Sequence, residues 1–527
     1  MSSAAKVGPK EFAGSDLPEN KKVMLFWACF AALIATAFGF IVRVFLIPEW
    51  GDQFGMTEVQ KGRILGAGLW PFSISIILFS LVIDRIGYGK AMAFAFACHV
   101  ASAVMLITAR SYDQLYWGSF VGALANGTVE AAVNPVVATL FPNEKTKWLN
   151  RLHAGWPGGL VLGGILALIM GPGTAWQWKV GLVLIPTAIY GVMMLGAKFP
   201  VSERVAAGVS YKEMLKEFGV LGALMASFLV FAELGNTFGW NPWVIGAIVV
   251  AVTLAFGATI NFAPGRPLFL VLMAIMIPLA ITELGVDSWI TDLMGPEMIA
   301  LGLQAGWVLV YTSVIMMILR FFAGSIVHRI SPLGLLAVSA AIAAIGLAFL
   351  SKAAGATILV AATLYGLGKT FFWPTMLGVV AEQFPRGGAL TLNAIAGVGM
   401  LAVGVVGNPF LGYIQDTSVN SHLQRENAAI HQQVATEKQW VFGQYVAPDP
   451  GKIATLPEAD QAAVKHVSDV AKKEALLTVT IFPIIMLLGY LALLGYFKSR
   501  GGYKAEVLAG HAAEDEEFTG GVKGPVR

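Results

Sequence analysis

Residues 126–150 read NGTVEAAVNPVVATLFPNEKTKWLN, and residues 365–393 read YGLGKTFFWPTMLGVVAEQFPRGGALTLN. The two stretches share a plan. Each has a proline inside an apolar run (Pro135, Pro374), then Phe-Pro (Phe141-Pro142, Phe384-Pro385), then Leu-Asn (Leu149-Asn150, Leu392-Asn393). Pro142 and Asn150 are eight residues apart, and so are Pro385 and Asn393. The inner proline precedes the Phe-Pro proline by seven residues in one copy and eleven in the other. That difference is about one helical turn. A second echo pairs SLVIDRIGYGK (residues 80–90) with GSIVHRISP (residues 324–332). Together the echoes set the register of an internal repeat. The second copy begins near residue 267, so residues 219–261 are an insertion between two similar halves.

Composition says where such a chain lives. It is 57% apolar and only 13% charged over 527 residues, whereas soluble domains carry about 25% charged residues. Too few charges are present to cover a soluble surface. The chain therefore reads as an integral membrane protein, which excludes soluble enzymes and nucleic-acid binders. Cys29 and Cys98 both fall in apolar stretches and read as free thiols rather than a disulfide framework.

Continuous apolar runs of about 20 residues indicate helical spans rather than barrel strands. Fourteen are expected, near residues 23–47, 62–83, 90–109, 114–141, 152–171, 178–198, 219–239, 243–261, 267–290, 299–327, 333–350, 355–383, 389–414 and 475–497. The first run is too long for a cleavable signal. With the N-terminus inside, the inner loops and span ends hold sixteen Lys and Arg, and the short outer loops hold five. This bias places both termini in the cytoplasm. The expected organisation is a tail (1–22), a six-helix bundle (23–198), a linker (199–218), a transmembrane hairpin (219–261), a second six-helix bundle (267–497) and a tail (498–527). The second bundle includes a polar outer loop, residues 415–474, whose last third reads as a helix running into the final span. Repeated halves about a midplane site are the architecture of secondary transporters.

At Ser80–Lys90 a family resemblance becomes specific. The stretch is similar to the loop signature of the major facilitator superfamily, with Ser80 in place of its first Gly and Asp84, Arg85, Gly87 and Lys90 matching. More narrowly, Glu130-Ala-Ala-Val-Asn134-Pro135, with Pro142 and Leu149-Asn150 following, resembles the fourth span of the fucose–proton symporter family, which includes glucose/galactose carriers. The turn from Phe54 to Gly62 resembles the same family's entry to the second span. The resemblance implies an all-α membrane protein of the major facilitator fold, with Glu130 as the protonation site. The chain departs from the family in three places. The proton-linked carboxylate of the first span has no match, and Arg43 lies near its place. The hairpin and the long outer loop are also additional.

Ionisable residues at mid-span are costly and mark candidate sites. Glu130 and Lys369 stand five residues before the equivalent prolines, so the repeat sets an acid against a base. If they approach in one conformation only, proton affinity differs between states, which couples a proton gradient to alternating access. Arg43 reads as a contact to substrate oxygens or a carboxylate, or as an ion-pair partner of Glu283 or Asp287 in an outer gate. Asp84 and Arg85 read as an inner-face gate. Asn134, Trp156, Gln304, Trp307, Tyr311, Trp373 and Asn393 supply amides and ring faces suited to a sugar. Glu233 in the hairpin reads as structural, Arg320 as half of a pair in the inner half of its bundle, and His99 and His153 as core histidines.

The function expected is proton symport of a small polar solute, a sugar or sugar acid, by a monomer in an inner (plasma) membrane. No cofactor, metal or enzymatic activity is expected. The phosphate-loop-like Gly366-Leu-Gly368-Lys369-Thr370 lies within a span and is rejected. The rival readings are an organic-anion carrier or exchanger and, from another class, a membrane enzyme acting on a lipid-linked substrate.

Overall fold

The computed structural model of the protein describes residues 17–506 except 57, 172, 305, 441 and 442, together with 508, 518–519 and 522–523. The expected motif at the entry to span two lies, from Thr57 to Gly62, outside the described side chains. Among the described residues eleven helices are long and apolar enough to cross a membrane, against the fourteen expected. One of the eleven, Trp307–Leu350, has 44 residues and covers two expected spans, turning at Ser331 (φ 64°) just before Pro332. Helix Tyr112–Leu140 is not among the eleven. Its second half, Ala123–Leu140, is almost wholly enclosed by protein, so it carries Asn126, Glu130 and Asn134 instead of a lipid-facing surface. Thr357–Lys369 and Phe372–Gln383 are each too short to count, because the helix breaks before Pro374.

The two prolines of the repeat shape the centre. A proline has no N–H for the carbonyl four residues earlier, so that carbonyl must find another donor. Pro135 orphans the carbonyl of Ala131, which accepts from Asn393 Nδ2 at 2.9 Å. Pro374 orphans that of Thr370, which accepts from Arg320 Nε at 2.7 Å. Both copies end alike: at Phe141 and Phe384 the helix gives way to a 3₁₀ turn opened by Pro142 and Pro385. The repeat seen in the sequence is thus a structural repeat.

The halves meet along two seams. In one, Gly155–Met170 packs on Trp307–Leu350, where a Cβ on Gly164 would lie 3.2 Å from Val310. In the other, Trp70–Ile86 packs on Gly388–Ala402, where a Cβ on Gly397 would lie 2.9 Å from Ile77. Small residues at such seams let helix backbones approach closely. The hairpin of Tyr211–Phe238 and Pro242–Thr259 packs, through its first helix, against Gly388–Ala402 at this second seam. Ser210 and Glu213 form a capping box at its start. Gly219, at φ 71°, lets the chain turn where Val220 N meets Ala263 O at 2.9 Å. The polar insert pairs strands Ala435–Trp440 and Gly443–Pro448 over a small core of Leu423, Ile430, Val434 and Val464. Its last helix, Glu458–Val479, leads into Ile481–Ser499, as expected.

One face of the bundle is closed. Asp84 is gripped by Arg204 of the linker at 2.6 Å, and Arg85 lies over the Tyr211 ring at 4.6 Å. Lys145 bonds Glu203 at 2.5 Å and crosses to the Ala381 carbonyl of the other half at 3.2 Å. Thr146 Oγ1 donates to Glu382 at 2.5 Å, and Asn150 Nδ2 to Thr375 Oγ1 at 3.1 Å. Residues 503–506 pack over this latch, with Tyr503 OH donating to Glu382 at 2.7 Å. Gly378 has no room for a side chain, since a Cβ there would collide with Thr146. Asp84 is thus paired at this face with the linker, and Arg85 takes no part in that ion pair.

Breaking an enclosed ion pair leaves an uncompensated charge. Arg204→Ala should therefore shift the population away from the closed-latch state. With native cysteines removed, a cysteine at position 150, buried beneath the latch, is expected to react at least about tenfold faster with an impermeant maleimide in the Arg204→Ala background. Equal rates would show that the latch does not hold this face shut.

Candidate functional site

A cavity of about 1280 Å³ enters from the opposite face and ends at mid-depth between the halves. Pockets for small ligands usually measure roughly 300–1,000 Å³, so this is a vestibule with a binding region at its floor. Its rim is made of helix ends, with Glu49, Asp52, Gly171, Lys179 and Gln304. Its floor and walls include Arg43, Glu130, His153, Trp156, Glu233, Glu283, Asp287, Arg320 and Trp373. A molecule closed on one face and hollow toward the other is outward-facing if the latch is cytoplasmic.

Arg320 organises the floor. It is 1% exposed and donates three ways: Nε to Thr370 O at 2.7 Å, Nη1 to His153 O at 2.7 Å, and Nη2 to Glu283 Oε1 at 2.8 Å. The planar guanidinium serves all three at once, which a lysine cannot do. Glu283 sits in the π-helical turn Ile281–Gly285, whose extra residue re-aims the side chain, and its other oxygen accepts from Trp373 N at 3.1 Å. One turn on, Asp287 pairs with Lys369, which is fully buried and also lies 5.0 Å from the centre of the Tyr365 ring. Tyr365 in turn donates to Thr282 O at 2.7 Å.

Across the floor, Glu130 meets no cation within ion-pair distance among the described residues. Asn134 Nδ2 donates to its Oε2 at 3.3 Å, and His153 Nε2 bonds Asn134 Oδ1 at 2.9 Å. Glu130, Asn134, His153 and Arg320 thus form one chain of contacts from the first half to the second. Arg43 is the opposite case. It is 5% exposed, its Nη2 has no hydrogen-bond partner, and no carboxylate pairs with it among the described residues. The guanidinium fills a notch where the second span breaks between Glu58–Ala67 and Trp70–Ile86. A Cβ on Gly68 would sit inside it.

Several expectations change. Glu130 and Lys369 do not meet here, because Lys369 is held by Asp287. Arg43 is not the partner of Glu283 or Asp287, whose charges are taken by Arg320 and Lys369. Glu283 belongs to the floor, not to an outer gate, and Arg320 pairs at the floor rather than in the inner half of its bundle. Of the sugar-binding candidates, Trp156, Gln304 and Trp373 line the cavity. Asn134 and Asn393 are fully buried and bonded to protein. Trp307 is not on the cavity lining, and Tyr311 is 37% exposed with its hydroxyl on Thr363 at 2.6 Å. His99 is a satisfied core histidine between Tyr190 and Asn126. His153 and Glu233, read as structural, both reach the cavity wall. Only their mid-span polarity marked them in advance.

Removing Arg320 orphans two carbonyls and the Glu283 charge together. Arg320→Ala is expected to cost about 3–5 kcal/mol of stability, read as a lower melting temperature in detergent. Arg320→Lys, which keeps the charge but not the fork, should fall between that variant and wild type. A melting temperature unchanged in both would contradict the organising role.

The comparisons with known proteins agree with this architecture. No curated protein matches the sequence, but the family model of the Major Facilitator Superfamily matches residues 28–407. Among solved structures, FucP in the outward conformation is similar with a TM-score of 0.54 at 15% identity, over 88% of this chain and 99% of that one. A second FucP structure, of the E. coli fucose:proton symporter, gives 0.55 at 16% identity, with the same two coverages of 88% and 99%. The human organic anion transporter MFSD10 gives 0.56 at 13% identity, over 90% and 100% of the two chains. The proton:xylose symporter XylE gives 0.57 at 14% identity, over 89% and 95%. Identities this low show the fold alone. The family match covers well over half of the sequence, and the chain belongs to the Major Facilitator Superfamily as a multi-pass membrane transporter.

Proposed function

We propose that this transporter is a proton-coupled symporter of a sugar acid, working by alternating access with the latch face in the cytoplasm. The observation that carries the reading is the pair of uncompensated charges on one cavity: Glu130 without a cation and Arg43 without an anion. A carboxylate placed at mid-membrane without a cation is the natural carrier of a coupled proton. An enclosed guanidinium with no anion favours a ligand that brings one, and its fork suits a carboxylate. The ring faces of Trp156 and Trp373 beside the amide of Gln304 suit a polyhydroxylated body. The Lys and Arg bias of the short loops supports the cytoplasmic side of the latch.

Coupling follows from which contacts cross between halves. Arg320 holds Glu283 and Thr370 within its own half, and only its bond to the His153 carbonyl crosses. As the halves rock, the inner contacts persist and the crossing ones change. In the inward-facing state Arg320 comes to Glu130 and draws off its proton, which leaves with the solute. Lys369, fixed to Asp287, stays behind as the anchor of the second half.

The test is uptake into proteoliposomes under an imposed proton gradient, comparing glucuronate and galacturonate with glucose and galactose. Wild type should concentrate the uronates and prefer them to the neutral sugars. Glu130→Gln should lose concentrative uptake while keeping exchange. Arg43→Gln should raise KM for a uronate by about tenfold to a hundredfold, the worth of a charge-assisted hydrogen bond. Gradient-independent uptake by wild type would sink the coupling. Equal handling of glucose and glucuronate would sink the sugar-acid assignment.

A further inference from the structure

The charges on the cavity wall can be matched in pairs. Glu283 has Arg320, Asp287 has Lys369, and Glu49 at the rim has Lys179 at 3.6 Å. Asp52 stands at the exposed mouth. Below it, three charges remain without a partner of opposite sign among the described residues: Arg43, Glu130 and Glu233. If Glu130 carries the coupled proton, the loaded cavity presents one free cation and one free anion.

The anion comes from the inserted hairpin. Helix Tyr211–Phe238 lies against the seam where the second span meets Gly388–Ala402, with the Phe238 ring edge-on to Trp70 at 6.4 Å. At that seam the second half loosens into a π-helical turn, Val403–Gly407. Gly404 on this turn and Glu233 both line the cavity, with Glu233 Oε2 4.0 Å from where a Cβ on Gly404 would stand. The carboxylate reaches the same cavity as Arg43. A lipid-exposed hairpin serving only as padding has no reason to carry a carboxylate at this depth, where its insertion is costly.

We propose that Glu233 is a specificity-determining residue, and that the cavity takes a dipolar solute whose carboxylate sits on Arg43 and whose ammonium sits on Glu233. The chemical class is an amino-bearing acid, and an amino sugar acid fits the ring faces and amides between the two poles. The ammonium offers three donors to a carboxylate that has none among the described residues. The inserted hairpin is then part of the transport pathway. This inference rests on the sugar-acid symport reading and adds the second pole.

The experiment is competition against labelled glucuronate uptake in proteoliposomes, with glucose, glucosamine, glucuronate and 2-amino-2-deoxyglucuronate (carboxylate at C6, ammonium at C2, one on each side of the ring) as competitors. In wild type, the aminouronate should compete best, ahead of the compounds that carry one charge. Glu233→Gln should weaken the aminouronate about tenfold more than it weakens glucuronate. Glu233→Asp, which keeps the charge, should preserve the wild-type order and so reports that the hairpin is folded. The aminouronate no better than glucuronate in wild type, or equal losses for both in Glu233→Gln, would overturn the second pole and leave sugar-acid symport standing. Glucose competing as well as glucuronate would remove the reading underneath as well.

Discussion

Two prolines that cannot donate hydrogen bonds govern the middle of this molecule. Each leaves a carbonyl bare inside a membrane, where no water can satisfy it. The first, on Ala131, is taken by an asparagine from the opposite half. The second, on Thr370, is taken by an arginine whose other two arms hold the His153 carbonyl and Glu283. One defect is therefore bonded directly across the halves, and the other is capped by the arginine that also reaches across to His153. They also fix Arg320 at the cavity floor, and that position determines which carboxylates are neutralised and which are left for chemistry.

The same bonds separate stable contacts from exchangeable ones. Within the second half, Arg320–Glu283 and Lys369–Asp287 can move as a rigid group. Between halves, the floor is joined by the His153 and Ala131 carbonyls, and the closed face by Lys145, Thr146 and Asn150. These are hydrogen bonds to backbone, to the Thr375 hydroxyl and to the Glu382 carboxylate, and the ion pair of Asp84 is made with the linker. A rocking motion has to break a small, defined set of polar contacts while leaving the buried charge pairs intact. Keeping charges paired within one half avoids the cost of an unpaired ion in the membrane at each cycle.

Much of the fold was legible in the sequence. The paired Pro, Phe-Pro and Leu-Asn signals marked the repeat, because helix-breaking chemistry is local and survives in sequence. The place of Asp84 after the second span puts it at the closed face, where it pairs with Arg204. The partners of the charges were not legible. Arg320 and Glu283 lie on different helices, and nothing in periodicity says that a π-helical turn brings one to the other. The equivalence of Glu130 and Lys369 in the repeat suggested a pair, but repeat position sets depth, not orientation, and Asp287 was nearer to Lys369. Glu233 reads as structural because the hairpin lies outside the repeat. Its place on the cavity wall follows from how the hairpin packs at the seam, which no local pattern reveals.

The account rests on Glu130 carrying a proton that travels with the solute. Proton movement can be read directly with a pH dye inside proteoliposomes while glucuronate is allowed to run down its own gradient, with no proton gradient imposed. The account predicts that solute entry acidifies the lumen for wild type, and that Glu130→Gln admits solute without acidification. A lumen whose pH does not follow glucuronate entry in wild type, or one that acidifies equally in Glu130→Gln, would contradict it.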